Sequence, residues 1–359
     1  MTIGQSNLSI TAVDLFCGAG GLTHGLVNAG INVSAGYDID ENCRFPYEKN
    51  NSSSIFYSKS VAEVTGKELS YHYPSDHIKV LVGCAPCQTF SKYTQGLNNK
   101  NDPKWDLLNE FSRLIRELKP DIVSMENVPD LQRYPVFQSF LDTLSEENFH
   151  FSQEHQERIV YCPDYGIPQR RRRLVLLASK FAPIHLLPPT HSPSTYLTVR
   201  NVLQKLPKID AGESYHKDPL HRASRLSDLN YQRIKESKPG GTWRDWPIHL
   251  IAKCHKSKSG KSYPSVYGRM EWDRPSPTIT TQFYGFGNGR FGHPDQNRGL
   301  SLREGAILQS FPENYAFIKP GDTFCFKTIG RMIGNAVPVQ LGYIIGKTIK
   351  SHIEKLNLN

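Results

Sequence analysis

The chain has 359 residues, 38% hydrophobic and 21% charged, with 43 Lys and Arg against 34 Asp and Glu, a formal charge of +9. Such a length suggests about two domains with a full core, and the composition excludes a disordered chain. The basic excess points first to a polyanionic partner, nucleic acid ahead of others, without requiring one.

No apolar run approaches the roughly 18 residues of a membrane span. The opening MTIGQSNLSI lacks the basic-then-apolar order of a secretory signal. The 7 cysteines are odd in number and scattered, which fits a reducing compartment rather than a disulfide framework. A cytoplasmic protein with no membrane association is therefore expected.

In chain order, SITAVDLF predicts a strand, GLTHGLVNAG a helix, NVSAGYD a strand and ENCRFPYEKN a helix. KVLVGC follows as a strand. WDLLNEFSRLIRELK has helical spacing and stops at Pro120. DIVSMEN predicts a strand, VFQSFLDTLSEEN a helix and RLVLLAS a strand. This alternation predicts an α/β protein with a doubly wound, mostly parallel sheet, whose ligands sit beyond the carboxyl ends of the strands. The texture changes near Pro188. From PPTHSP to about Tyr267 the chain is rich in Lys, Ser, Pro, His and Gly, which predicts an irregular second module. SLREGAILQSF restores regular patterning, and VPVQLGYIIGKTIKSHIEKL predicts a closing helix with Pro338 in its first turn.

Chemistry concentrates at the strand ends. Asp14-Leu-Phe-Cys-Gly18-Ala-Gly20-Gly21 lies between the first strand and helix, where glycines expose helix N-terminal amides to a ligand. No Gly-Lys-Ser/Thr follows, so it is not a P-loop, and Thr23 spoils a dinucleotide G-x-G-x-x-G. Asp38, about 20 residues on, is placed to accept both hydroxyls of a ribose. Together they suggest a nucleoside-bearing cofactor, against a plain glycine turn with a solvent-facing acid. Cys84-Ala-Pro86-Cys87-Gln88 admits a zinc site, a redox dithiol, a single nucleophile at Cys87, or a structural pair. Glu126 ends a buried strand, where a carboxylate is costly unless paired or functional. In Gln169-Arg170-Arg171-Arg172-Arg173 alternate arginines should face inward, because the run enters a strand.

In this order DLFCGAGG, GCAPCQTFS, MENV, YGIPQRRRR, RPSPTIT and GRMIGNAVP resemble the motifs of bacterial cytosine-5 DNA methyltransferases, over residues 14 to 338. The resemblance implies the class I fold of S-adenosylmethionine-dependent methyltransferases and transfer of a methyl group from that cofactor to carbon 5 of a flipped-out cytosine in a specific double-stranded DNA sequence. It also implies protection against a cognate restriction endonuclease, and a monomer. Cys87 would be the nucleophile and Glu126 the group at ring nitrogen 3. Arg173, with Arg171, would hold the exocyclic oxygen. Cofactor contacts would come from Phe16, Gly18, Gly20, Asp38, Ile39, Pro86, Leu107, Asn335 and Val337, and no metal is implied. Gln88, Ser91 and Gln169 would meet DNA.

The domains implied are 1–188, catalytic and cofactor-binding; 189–326, smaller, with target recognition at about 190–268; and 327–359, returning to the first. Within the recognition region Gly240-Gly241-Thr242-Trp243-Arg244-Asp245 is either a base-reading loop carrying Arg244 or a tight turn with a packed tryptophan. Lys258 and its neighbouring lysines would supply phosphate contacts. Two departures from the family pattern stand out. Ser60 occupies the usual acidic position facing adenine, and Lys104-Trp105 replaces Arg-Gly near Leu107. A tRNA cytosine methyltransferase is disfavoured, since its Cys-Phe-Thr signature is missing. A non-catalytic DNA binder would not need Cys87, Glu126 and the arginines together.

Overall fold

The structure is a computed structural model that describes residues 9–86, 106–257 and 262–356. It divides into two compact units: residues 1–161, 172–189 and 337–359, and residues 162–171 with 190–336. These limits differ from those drawn on sequence. Residues 162–171 go with the second unit, where the Gln169 side chain is tied to Leu308 and Gln309. Residues 327–336 go there too, within a helix that packs on Leu302–Leu308.

The first unit carries a sheet in the order β3-β2-β1-β4-β5-β8-β6, with β7 paired to β8. The strands are β1 (Ile10–Leu15), β2 (Asn32–Asp38), β3 (Ile55–Ser58), β4 (Ile78–Gly83), β5 (Ile122–Asn127), β6 (His150–Phe151), β7 (Ile159–Tyr161) and β8 (Arg172–Ser179). Strands β1 to β5 are parallel, and β8 runs antiparallel to β5, β6 and β7. Near-continuous apolar runs such as VLVG suit strands buried on both faces. On one face the sheet packs against α4 (Asp106–Leu118) and α5 (Pro135–Glu146), through Phe111, Leu114, Phe137 and Phe140.

Helix α1 (Gly21–Asn28) packs against the C-terminal helix, Val339–Leu356. The approach is close: a Cβ on Gly25 would lie 2.3 Å from the Val339 carbonyl oxygen. Helix α2 (Arg44–Asn50) is preceded by a single 3-10 turn, Glu41–Cys43, so the helix expected from Glu41 onward is split. The C-terminal helix begins just after Pro338 rather than including it in its first turn.

Strand β1 pairs with β2 on one side and β4 on the other. The chain therefore winds outward in one direction through β3 and in the other through β5. The crevice at such a reversal lies beyond the carboxyl ends of β1 and β4, where open α/β sheets bind ligands. Residues 16–20 and 84–86 lie there.

The second unit is irregular, as expected, but well filled. It contains the hairpin of β9 (Ser214–Tyr215) and β10 (Asp218–Arg222), and the helices α6 (Val199–Leu203), α7 (Asp228–Glu236), α8 (Lys253–Lys256), α9 (Leu302–Leu308) and α10 (Phe326–Asn335). One apolar cluster joins Ile234, Trp243, Trp246, Leu250 and Phe286. Buried arginines hold the loops together. Arg269 donates to the carbonyls of Ile234, Ser237, His293 and Gln296. Arg298 makes a two-pronged pair with Glu304, both bonds 2.7 Å. Among the described residues no helix is long and apolar enough to cross a membrane.

Candidate active site

The loop after β1 turns sharply. Phe16, Gly18 and Gly20 all have positive φ, 59°, 52° and 87°. Phe16 is the one non-glycine among them, a conformation that costs energy. The Gly18 N–H donates to Asp38 Oδ2 at 2.8 Å, and the Asp40 N–H donates to Oδ1 at 2.8 Å. The carboxylate thus joins the ends of β1 and β2. Among the described residues a Cβ on Gly18 would meet nothing within 4 Å. Beside Asp38, Ile39 leaves 75% of its surface exposed, an apolar platform next to a diol acceptor. Open space over a glycine, a bridged carboxylate and a bare isoleucine fit an adenosine group.

Behind this loop, buried Asp14 accepts a hydrogen bond from Thr23 Oγ1 at 2.7 Å, pinning the first turn of α1 to β1. Burial, only partly offset by Thr23, pushes the Asp14 carboxyl up to about 7. Its signal in the sequence is an acid on the apolar run before the glycines. Ser60 accepts from the Ala62 N–H and caps the 3-10 turn Val61–Glu63. Pro86 and Leu107 are partly buried, and Val337 is buried in the same unit. Asn335 ends α10, exposed, in the second unit.

The end of β4 lies beside the end of β5, with Gly83 opposite Met125. One step further along, the Cys84 thiol meets Glu126 Oε2 at 2.8 Å. Arg173 Nε stands 2.9 Å from Glu126 Oε1. Oε1 nevertheless has no aligned hydrogen bond among the described residues, although Glu126 is only 3% exposed. The Asn127 side chain donates to the Ala85 carbonyl at 3.0 Å, clamping the two strand ends together. A carboxylate, a guanidinium and a thiol thus meet in the first unit, and Cys87 follows Pro86 directly in the chain. Cys87 itself lies outside the described residues, as do Gln88, Ser91 and Lys258.

The arginine run alternates as its strand period predicts: Arg171 and Arg173 face inward, and Arg170 and Arg172 are exposed. The two inward arginines differ. Arg173 reaches Glu126, while Arg171 belongs to the second unit and donates to Gln169 Oε1 and the Ile279 carbonyl. Arg171 is thus anchored through one end of its guanidinium, while its buried Nε has no hydrogen bond among the described residues. Gln169 is fully buried, its amide donates to Leu308 O and Gln309 Oε1, and its oxygen accepts from the Ile279 N–H.

The segment 240–245 is a tight turn with a packed tryptophan. Thr242 and Asp245 cap each other, and buried Trp243 donates to the Tyr263 carbonyl and stacks on His255 at 4.4 Å. Gly240 and Gly241 face the Glu271 and Asp245 side chains. Arg244 is exposed, with its guanidinium 5.4 Å from the centre of the Trp243 ring.

Comparison with known proteins identifies this arrangement. The family model for C-5 cytosine-specific DNA methylase matches residues 10–351. The chain belongs to that family. This DNA methylase is 54% identical over 348 residues to the Type II methylase M.HgiDII of Herpetosiphon aurantiacus, covering 96% of each. It is 32% identical to the Type II methyltransferase M1.BsuMI of Bacillus subtilis, over 94% of this chain and 79% of that one. A solved structure described as an E. coli prophage DNA modification methyltransferase matches with a TM-score of 0.72 at 21% identity, over 96% of this chain and 100% of that one. The fold is thus that of the cytosine-5 methyltransferases. The protein is a DNA (cytosine-5)-methyltransferase that acts on DNA and uses S-adenosylmethionine.

Proposed function

We propose that this enzyme methylates one cytosine within a specific double-stranded sequence, flipped out of the duplex, through a covalent adduct with Cys87. The observation that carries the reading is Glu126, a buried carboxylate with an arginine beside it and one oxygen that lacks a hydrogen bond among the described residues, at the end of the strand next to the one that leads to Pro86 and Cys87.

Carbon 5 of cytosine is a poor nucleophile. Addition of the Cys87 thiolate at carbon 6 makes the ring enamine-like, with electron density at carbon 5. Glu126 places a proton at ring nitrogen 3, so charge does not build up on the ring. Arg173, held between Glu126 and the Arg172 carbonyl, points a donor at the exocyclic oxygen. S-adenosylmethionine, when bound, supplies an electrophilic methyl group. Asp38 would take its ribose hydroxyls and Ile39 its adenine, with Phe16, Gly18, Gly20, Pro86, Leu107 and Val337 completing the pocket; Asn335 is proposed as a further cofactor contact. Loss of the carbon-5 proton then lets the thiolate leave.

Gln88 and Ser91 are proposed to meet DNA from the Cys87 loop. Lys258 would contact phosphate and Arg244 a base edge. The catalytic and cofactor-binding part would thus be the first unit, with target recognition in the second. The Type II relatives support a place beside a restriction endonuclease that cuts the same site.

The decisive experiment uses DNA with 5-fluorocytosine in place of cytosine. Fluorine cannot leave as a cation, so the adduct should persist as a denaturant-stable protein–DNA species. It should vanish in Cys87→Ser, together with methylation. A trapped species or methylation that survives Cys87→Ser would overturn the reading.

A further inference from the structure

We propose that Cys84 is a positioning residue for Glu126: its thiol fixes Oε2, so that Oε1 is the oxygen turned towards ring nitrogen 3. This deepens the proposed function and rests on the part given there to Glu126. Three observations support it.

The first is register. Strands β4 and β5 are parallel neighbours, and the Gly83–Met125 pair places residues 84 and 126 side by side where the strands end. The second is the contact. A thiol has one proton to give, and the Cys84 sulfur lies 2.8 Å from Oε2, well within donor range of a carboxylate oxygen. The third is what remains. Among the described residues Oε1 is buried without a hydrogen bond, and Arg173 lies 2.9 Å away without aligning a donor. A carboxylate held at one oxygen can still rotate about the bond to Cγ unless its neighbours are fixed. Here they are, because Asn127 ties β5 to the Ala85 carbonyl. Cys84 makes one of two otherwise equivalent oxygens the reactive one.

The test compares Cys84→Ala and Cys84→Ser on unmethylated mixed-sequence DNA. Alanine removes the donor, and serine keeps one. Cys84→Ala should lower kcat about tenfold, the scale of one hydrogen bond to a charged group. KM for S-adenosylmethionine and affinity for S-adenosylhomocysteine should stay within twofold. Cys84→Ser should recover most of the loss. In a Glu126→Gln background, Cys84→Ala should cost nothing further, as for residues acting through one another. If alanine prevents folding, seen as loss of S-adenosylhomocysteine binding, Cys84→Val fills the volume without a donor and gives the same comparison.

Wild-type kcat in the donor-free variant would overturn the inference. So would a serine variant no better than alanine, or a loss undiminished in the Glu126→Gln background. An impaired Glu126→Gln with a fully active Cys84→Ala would remove Cys84 alone. A fully active Glu126→Gln would remove the reading of Glu126 and this inference with it.

Discussion

Two buried glutamates, one in each unit, face an arginine, and they are satisfied very differently. Glu304 is 1% exposed and bonded through both oxygens to Arg298 at 2.7 Å, with the Ser301 N–H as a further donor. Burial alone would raise its carboxyl, but the Arg298 charge and hydrogen bonds outweigh burial and hold it at about 2. Glu126 is 3% exposed, yet one of its oxygens has no aligned donor. The first is a finished ion pair that holds loops together. The second has one oxygen without an aligned partner among the described residues, as its proposed exchange of a proton with ring nitrogen 3 requires.

The contrast predicts opposite failures, and the largest belongs to Glu126. Glu126→Gln should cut turnover roughly a hundred to ten thousand-fold, the range for a lost general acid, with DNA affinity and melting temperature nearly unchanged. Turnover within twofold of wild type would erase the distinction. Glu304→Gln should do the reverse. Breaking a buried pair leaves Arg298 uncompensated, which typically costs about 3–5 kcal/mol. Denaturant unfolding should show that loss, and activity should fall only as the folded fraction falls.

Asp38 stands between these cases, a partly buried carboxylate held by the Gly18 and Asp40 N–H groups. Asp38→Ala should raise KM for S-adenosylmethionine about tenfold, the scale of hydrogen bonds to a charged group, with a smaller change in kcat. Titration calorimetry with S-adenosylhomocysteine checks it, and an unchanged affinity would refute the ribose contact.

The smallest expected effect separates carboxylates by pH. Asp14, pushed up from 3.8 to about 7, keeps a proton that the unfolded chain has lost, so its contribution to stability declines as pH rises from about 4 to 7. Glu304, held down from 4.5 to about 2, contributes fully above 4.5 and loses that contribution as pH falls towards 2. The melting temperature of Asp14→Asn relative to wild type should therefore climb by a few degrees between pH 4 and 7. A difference that does not vary over that window would show that Asp14 is not held protonated.

The first unit was largely legible because its strands are apolar runs and its helices have clear periodicity, as in IVSMEN and FSRLIREL. Strand β3 escaped notice: IFYS is four residues long, with Ile55 and Ser58 exposed at an edge. Asp38 and Glu126 could be singled out because each is an acid closing an apolar strand. The Cys84–Glu126 contact could not, because it joins residues 42 apart through strand register. The second unit was least legible because buried guanidiniums do much of the work of regular structure there. In composition, Arg269 and Arg298 read as surface charge, and only their carbonyl and carboxylate partners show otherwise.

The packing of α1 against the C-terminal helix bears on the order of synthesis. Helix α1, which follows the loop of residues 16–20, leaves the ribosome early, but the helix packed on it is made only after the entire second unit. Domains generally fold as units as they emerge, and here the cofactor unit stays open until its last helix arrives. A newly made chain should therefore hold no S-adenosylmethionine while the second unit is still being translated. Its apolar α1 surface would remain uncovered during that interval, a natural point for a chaperone to engage.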